Sequence, residues 1–200
     1  MTSAEHPDLG IPGYGFGLPA TAQSPVSTED LQLLEQTIGW TAEDVLLLQR
    51  YAPLFQRHAE KMVDAWRAVI GGQPHLAQWF FAPDGNPDEE YKARVKQRFV
   101  QWVVDVATQP HDRAWLDYQE EIGLRHTPAK KNKTDGRHTP PLVPLRYLLG
   151  FLPVVIEIRS FLESEISDPG ELRVLECAWM KAVHLHVVLL TRPYVTYGLW

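Results

Sequence analysis

The sequence predicts an all-α domain. Apolar residues recur at three- and four-residue spacing along most of the chain. Helix-start signals are repeated: Ser27-Thr-Glu-Asp30, Thr41-Ala-Glu-Asp44, Asn86-Pro87, Asp112 and Asp168-Pro169. No segment shows the polar–apolar alternation of a strand. The chain has 200 residues, the size of one domain. It divides into an N-terminal extension over residues 1–25 and a helical domain over residues 26–200.

The extension holds four prolines and four glycines and has no periodic pattern. Its Tyr14, Phe16 and Leu18 give it apolar groups with which to dock. The two capping boxes open helices at LQLLEQTIG and VLLLQRY. Pro53 is expected to start the next helix and Gly71-Gly72 to end it. Pro74–Phe81 reads as one or two turns, and Pro83–Asn86 as a turn. Asn86-Pro87 then opens a helix to about Thr108, with Tyr91, Val95, Phe99, Trp102 and Val106 on one face. A helix capped by Asp112 runs to about His126, where Pro128 stops it. Residues 127–141 form a polar loop. Two long helices are expected over about 142–166 and 169–191. The second carries Leu172, Leu175, Trp179, Val183, His186 and Leu190 along one stripe. The uneven helix lengths exclude a simple four-helix bundle.

Hydrophobic residues make up 44% of the chain and charged residues 22%, so disorder is excluded. There is one cysteine and there are eight histidines. One cysteine excludes internal disulfides, multi-cysteine zinc sites, Cys-ligated iron–sulfur clusters and c-type haem attachment. Any bound metal must be held by histidine or carboxylate. Cys177 reads as a small buried residue. The net charge of −6 argues against nucleic-acid binding. The opening MTSAEHPDLG has no basic start or apolar stretch. The longest apolar run, Tyr147 to Ile156, is too short to span a bilayer. The expectation is a soluble cytoplasmic protein with no membrane or nucleic-acid partner.

On the helix ending at His126, Trp115, Tyr118, Gln119, Ile122 and His126 share one face. Arg113, Asp117, Glu120 and Glu121 point the other way. A histidine in the last turn of an inward face can offer a neutral nitrogen to a haem iron. The same position suits a hydrogen-bonded core histidine, or one answering the helix dipole. His58 and His186 also sit on apolar faces and are rivals. No HxxxH or ExxH pair supports a two-histidine or di-iron site. No GxSxG, GxGxxG or P-loop occurs. Residues 125–146 hold six Lys or Arg against one acid, Asp135. Such a loop could hold haem propionates or be a solvated surface.

WLDYQEEIGLRH, followed by KKNKTD and LRYLLGF, closely resembles the single-domain protoglobins, relatives of the sensor domain of globin-coupled sensors. IPGYGFG, VDAWRAVIGGQPHL, FAPDGNPDEEY, RFVQWVVD, AWMKAV and PYVTYG agree in order. The resemblance covers nearly the whole chain from about residue 10. It implies a globin-like fold with an extra N-terminal helix and extension. It also implies a non-covalent b-type haem that binds O2, CO and NO, reached through tunnels, and a homodimer through the last two helices. It carries the iron ligand onto His126. Haem-pocket positions fall on Trp66, Arg67, Phe99, Phe151 and Val155, with Tyr91 and Leu148 near the tunnels. The implied task is gas storage, sensing, or haem chemistry on NO, nitrite, peroxide or carbene donors.

The family usually carries Trp-Tyr where this chain has Trp66-Arg67. A short neutral donor is replaced by a long cation. Arg67 either bends over the distal side toward a bound oxygen or anion, or snorkels outward to a propionate or solvent. The cost of burying an unpaired charge favours the second. His184 and His186 also depart from the family and are expected to face a dimer partner.

Overall fold

A computed structural model describes residues 9–195 and 198–200. Residues 1–8 and 196–197, parts of the expected extension and of the PYVTYG block, lie outside the described residues. Eight α-helices occur among the described residues, and no strand does. They are α1 (Thr28–Ile38), α2 (Ala42–Gly71), α3 (Pro74–Ala77), α4 (Glu89–Thr108), α5 (Arg113–Leu124), α6 (Leu145–Ile156), α7 (Arg159–Leu162) and α8 (Pro169–Thr191). Short 3-10 turns follow α3 and α8.

The start signals mostly act as read. Ser27 and Asp30 close a reciprocal box on α1, and Thr41 and Asp44 close one on α2. Asp112 accepts from the Trp115 amide at 2.9 Å to start α5. Asp168 accepts from the Gly170 amide at 2.8 Å to start α8. One start is displaced. Asp88, not Asn86, caps α4 by accepting from the Tyr91 amide at 3.0 Å.

Two helix boundaries differ from expectation. Pro53 starts nothing and lies inside the 30-residue α2. Leu48, Leu54, Phe55, Ala59, Met62, Val63 and Trp66 form one buried face across it. That burial offsets the hydrogen bond proline cannot make. The expected 142–166 helix is two helices. Pro144 precedes the first with an extended ψ of 135°. Beyond it, Ile158 turns wholly into the core. The Glu157 carboxylate then accepts from the Ser160 amide at 3.1 Å and starts α7.

α8 is the central helix. It packs against α1, α2, α4, α5, α6 and α7, while α2 pairs with α4. Its composition alone would suit a membrane span, yet Leu172, Leu175, Trp179, Ala182, Val183 and Leu185 are buried inside the domain. Phe55 stacks on Trp179 at 4.7 Å, and the Trp179 indole donates to the Val155 carbonyl at 2.9 Å. A second cluster joins Phe16, Val26 and Leu31 to Trp115, Leu116, Tyr118, Leu185 and Leu189.

The N-terminal segment is a docked strap. Phe16 is only 3% exposed, and the Tyr14 hydroxyl donates to Asp105 at 2.9 Å. Leu18, in contrast, is exposed. Gly13 has φ +74°, and a Cβ there would sit 2.6 Å from the Arg98 guanidinium. The left-handed backbone favours glycine there, and any side chain would also push the Arg98 guanidinium aside.

Candidate functional site

A cavity of about 290 Å3 lies between α2, α4, α5, α6, α8 and the loop after α5. Its walls are mostly apolar and aromatic. Val95, Phe99 and Trp102 of α4, Ile122 of α5, and Leu148, Phe151 and Val155 of α6 supply much of them. His126 borders this cavity, as do Arg67 and Tyr91. So the structure brings seven of the eight anticipated residues to one space. Trp66 is the exception. It lies behind the wall, its ring 5.4 Å from Phe99, and does not border the cavity.

The position of His126 follows from local chemistry. Gly123 lets α5 approach the end of α8: a Cβ there would meet Pro193 at 2.9 Å and the Leu190 carbonyl at 3.0 Å. α5 ends at Leu124, and a turn held by the His126 amide on the Gly123 carbonyl follows. The His126 carbonyl accepts from the Val143 amide at 2.9 Å. The Tyr194 hydroxyl reaches the Val143 and His126 carbonyls at 2.7 and 3.1 Å. Tyr194 therefore clamps the backbone that carries the histidine.

The His126 ring is oriented too. Its Nδ1 lies 2.8 Å from the Ile122 carbonyl. A carbonyl only accepts, so Nδ1 carries the proton and Nε2 keeps its lone pair. Burial lowers the pKa of His126, and the charges of Lys131 and Arg125 add to this; only the Ile122 bond opposes it. The imidazole is neutral at pH 7, the form a metal requires.

The rival histidines have other partners. His58 contacts Glu165. His186 is 1% exposed and accepts from the Trp102 indole at 3.1 Å. It stands edge-on to Trp102 and Trp115, so it faces the core and not a dimer partner. His184 is half-buried, with Nδ1 at 2.9 Å from the Met180 carbonyl. Cys177 is exposed rather than buried. No cluster of three or more metal-binding side chains occurs among the described residues.

The basic loop splits into spent and available charges. Arg125 and Lys130 both engage Glu121, and Arg137 forks onto Asp88 at 2.6–2.8 Å. Glu121 is buried, which raises its pKa, yet these partners outweigh burial and lower it. Lys131 differs. It is 3% exposed, borders the cavity, and bonds only neutral oxygens, of Trp79 at 2.8 Å and Thr139 at 2.6 Å. Burial pulls its pKa down to about 8. Arg98, also on the cavity wall, is matched by a two-pronged bond to Asp135 at 2.7 and 3.0 Å.

Sequence reasoning did not single out Lys131, Arg98, Gly123 or Tyr194. Lys131 stood in a count of six basic residues. Nothing local marked it as the one turned inward. The GLRH block contained Gly123, but the close approach to Pro193 spans 70 positions.

Residues 27–200 match the Protoglobin family profile. The chain belongs to the Protoglobin family. The fold is also similar to the globin domain of the Geobacter sulfurreducens globin-coupled sensor, with a TM-score of 0.65 and 20% identity. That match covers 82% of this chain and 97% of the other. A search of curated proteins finds no match. Membership of the Protoglobin family implies a haem cofactor and gas binding in general terms. The residues present suit that cofactor: apolar walls, one neutral histidine with a free ring nitrogen, and a buried cation lacking a carboxylate.

Proposed function

We propose that this protoglobin would hold a non-covalent b-type haem through His126 and bind O2, CO, NO or similar small ligands in the same cavity. The observation that carries the reading is the Nδ1 contact to the Ile122 carbonyl. It commits one ring nitrogen to the backbone and leaves the other for a metal. A bound haem supplies the iron at which the ligand is held.

The chain's own residues do the rest. Phe99, Phe151 and Val155 give the cavity they border an apolar wall. Lys131 is placed to meet a haem carboxylate, the partner its burial lacks. Tyr194 and Gly123 keep the His126 turn against α8. Asp135, a carboxylate at the cavity, is tied to Arg98 and is not free to move protons. This favours ligand binding over bond-breaking acid–base chemistry.

The test is the visible spectrum. Purified protein reconstituted with haem should show a Soret band that shifts on adding CO to the ferrous form. His126→Ala should lose the five-coordinate ferrous spectrum and regain it with added imidazole. A wild-type protein that takes up no haem, or a normal spectrum in His126→Ala without imidazole, overturns the proposal.

A further inference from the structure

The cavity wall carries a charge that no acid among the described residues matches. Arg67, on α2, borders the cavity and is half-buried. It makes no ion pair among the described residues. Its one hydrogen bond runs from a guanidinium nitrogen to the Lys92 carbonyl at 3.3 Å. The acid one turn back on the same helix, Asp64, is committed to Lys96 at 2.8 Å. The other arginines at the cavity are neutralised, Arg98 by Asp135 and Arg125 by Glu121.

Arg67 and Lys131 are thus, among the described residues, the two cations of the cavity without a carboxylate; both lie by one stretch of α4, Arg67 bonding the Lys92 carbonyl and the Lys131 ammonium 5.1 Å from the Tyr91 ring centre. Lys131 lies in the loop that also carries His126. Arg67 lies on α2, which pairs with α4 and makes no substantial contact with α5.

We propose that Arg67 is an anion-recognising residue, which raises the affinity of this pocket for small monovalent anions such as azide relative to neutral diatomics. This rests on the haem reading and names a ligand class for the same site. A guanidinium has five N–H donors and keeps its charge at all working pH values. One long bond leaves most of those donors unspent. Mostly apolar walls strengthen any ion pair formed inside them. An entering anion supplies the partner that a half-buried Arg67 lacks. A neutral diatomic supplies no such compensation and gains less from the charge.

The test is titration of the ferric holoprotein with sodium azide, followed by the Soret shift. Arg67→Gln should weaken azide binding about tenfold or more, as expected for losing one charge-assisted hydrogen bond. Arg67→Lys should fall between Gln and wild type. CO affinity of the ferrous forms should change by a smaller factor than azide affinity, since CO offers no charge to lose. Haem transfer to an acceptor apoprotein should keep its wild-type rate. Arg67→Tyr, which places the usual family residue there, is the second variant should Arg67→Gln not fold, and it too should bind azide more weakly. Azide affinity unchanged in the charge-removing variants overturns the proposal. Haem loss that accelerates in step with the azide effect also overturns it, because Arg67 would then be holding a haem carboxylate. A wild-type chain that takes up no haem is a separate result, and it removes the reading beneath the proposal.

Discussion

At the scale of single residues, chemistry turned on which side chains had partners. Periodicity placed three of the eight histidines, His126, His58 and His186, on apolar faces alike, and the family resemblance chose His126 among them. The partners that occupy His58 and His186 lie far along the chain, at Glu165 and Trp102, where no local pattern shows them. Lys131 shows the same limit. Its burial costs stability, because the group's ordinary pKa of 10.5 falls to about 8. Between those values the unfolded chain binds more protons than the folded one. Stability of the haem-free protein should therefore rise with pH from about 8 to about 10, with the full penalty present below 8. The penalty is on the order of 3 kcal/mol. Lys131→Met should raise the melting temperature of the apoprotein at pH 7 and flatten this pH dependence. It should also speed haem loss, since a carboxylate partner no longer finds its cation. Denaturant melts of the apoprotein across pH 7–10 measure the first effect, and haem-transfer kinetics the second.

At the scale of elements, local signals served where the backbone needed them and failed where packing overruled. Capping boxes at Ser27 and Thr41 satisfy donors that every helix start exposes, so their positions were legible. Pro53 misled because its own cost is smaller than the gain from one continuous buried face on α2. Cys177 misled because a short apolar side chain carries no mark of its direction; Trp179 and Leu175 take the core side of α8 and Cys177 the solvent side. Gly123 marks a contact between elements that no local rule reveals. Gly123→Ala would put a methyl 2.9–3.0 Å from Pro193 and the Leu190 carbonyl, so α5 must move away from the end of α8. Such overpacking costs about 1–3 kcal/mol. The same shift would carry the His126 turn with it. Thermal melts should show the loss in apo and holo forms. The ferrous spectrum should also change, which a purely structural defect far from His126 would not cause.

At the scale of the whole molecule, the domain is a globin-like shell with a strap across it. The shell was readable from helical periodicity. The strap was readable only as a segment with aromatic residues, because its hydrogen bonds reach 99 positions along the chain. Tyr14 bonds Asp105 of α4, the Ala22 amide bonds Glu121 of α5 at 3.0 Å, and the Pro12 carbonyl accepts from Arg98 at 2.7 Å. Arg98 borders the cavity, so the strap and the pocket share a side chain. Phe16 is the apolar anchor of this arrangement, edge-on to Tyr118 at 5.3 Å, and Tyr118 itself borders the cavity. Phe16→Ala removes that anchor at a cost of about 3–5 kcal/mol if the strap stays docked. Undocking limits the cost to the strap's own contacts and leaves the helices in place. The expected outcome is a wild-type far-ultraviolet circular dichroism spectrum, faster proteolytic cleavage within residues 9–25, and haem loss accelerated by about tenfold. Haem loss at the wild-type rate, with cleavage accelerated, would show that the strap packs on the shell without closing the pocket.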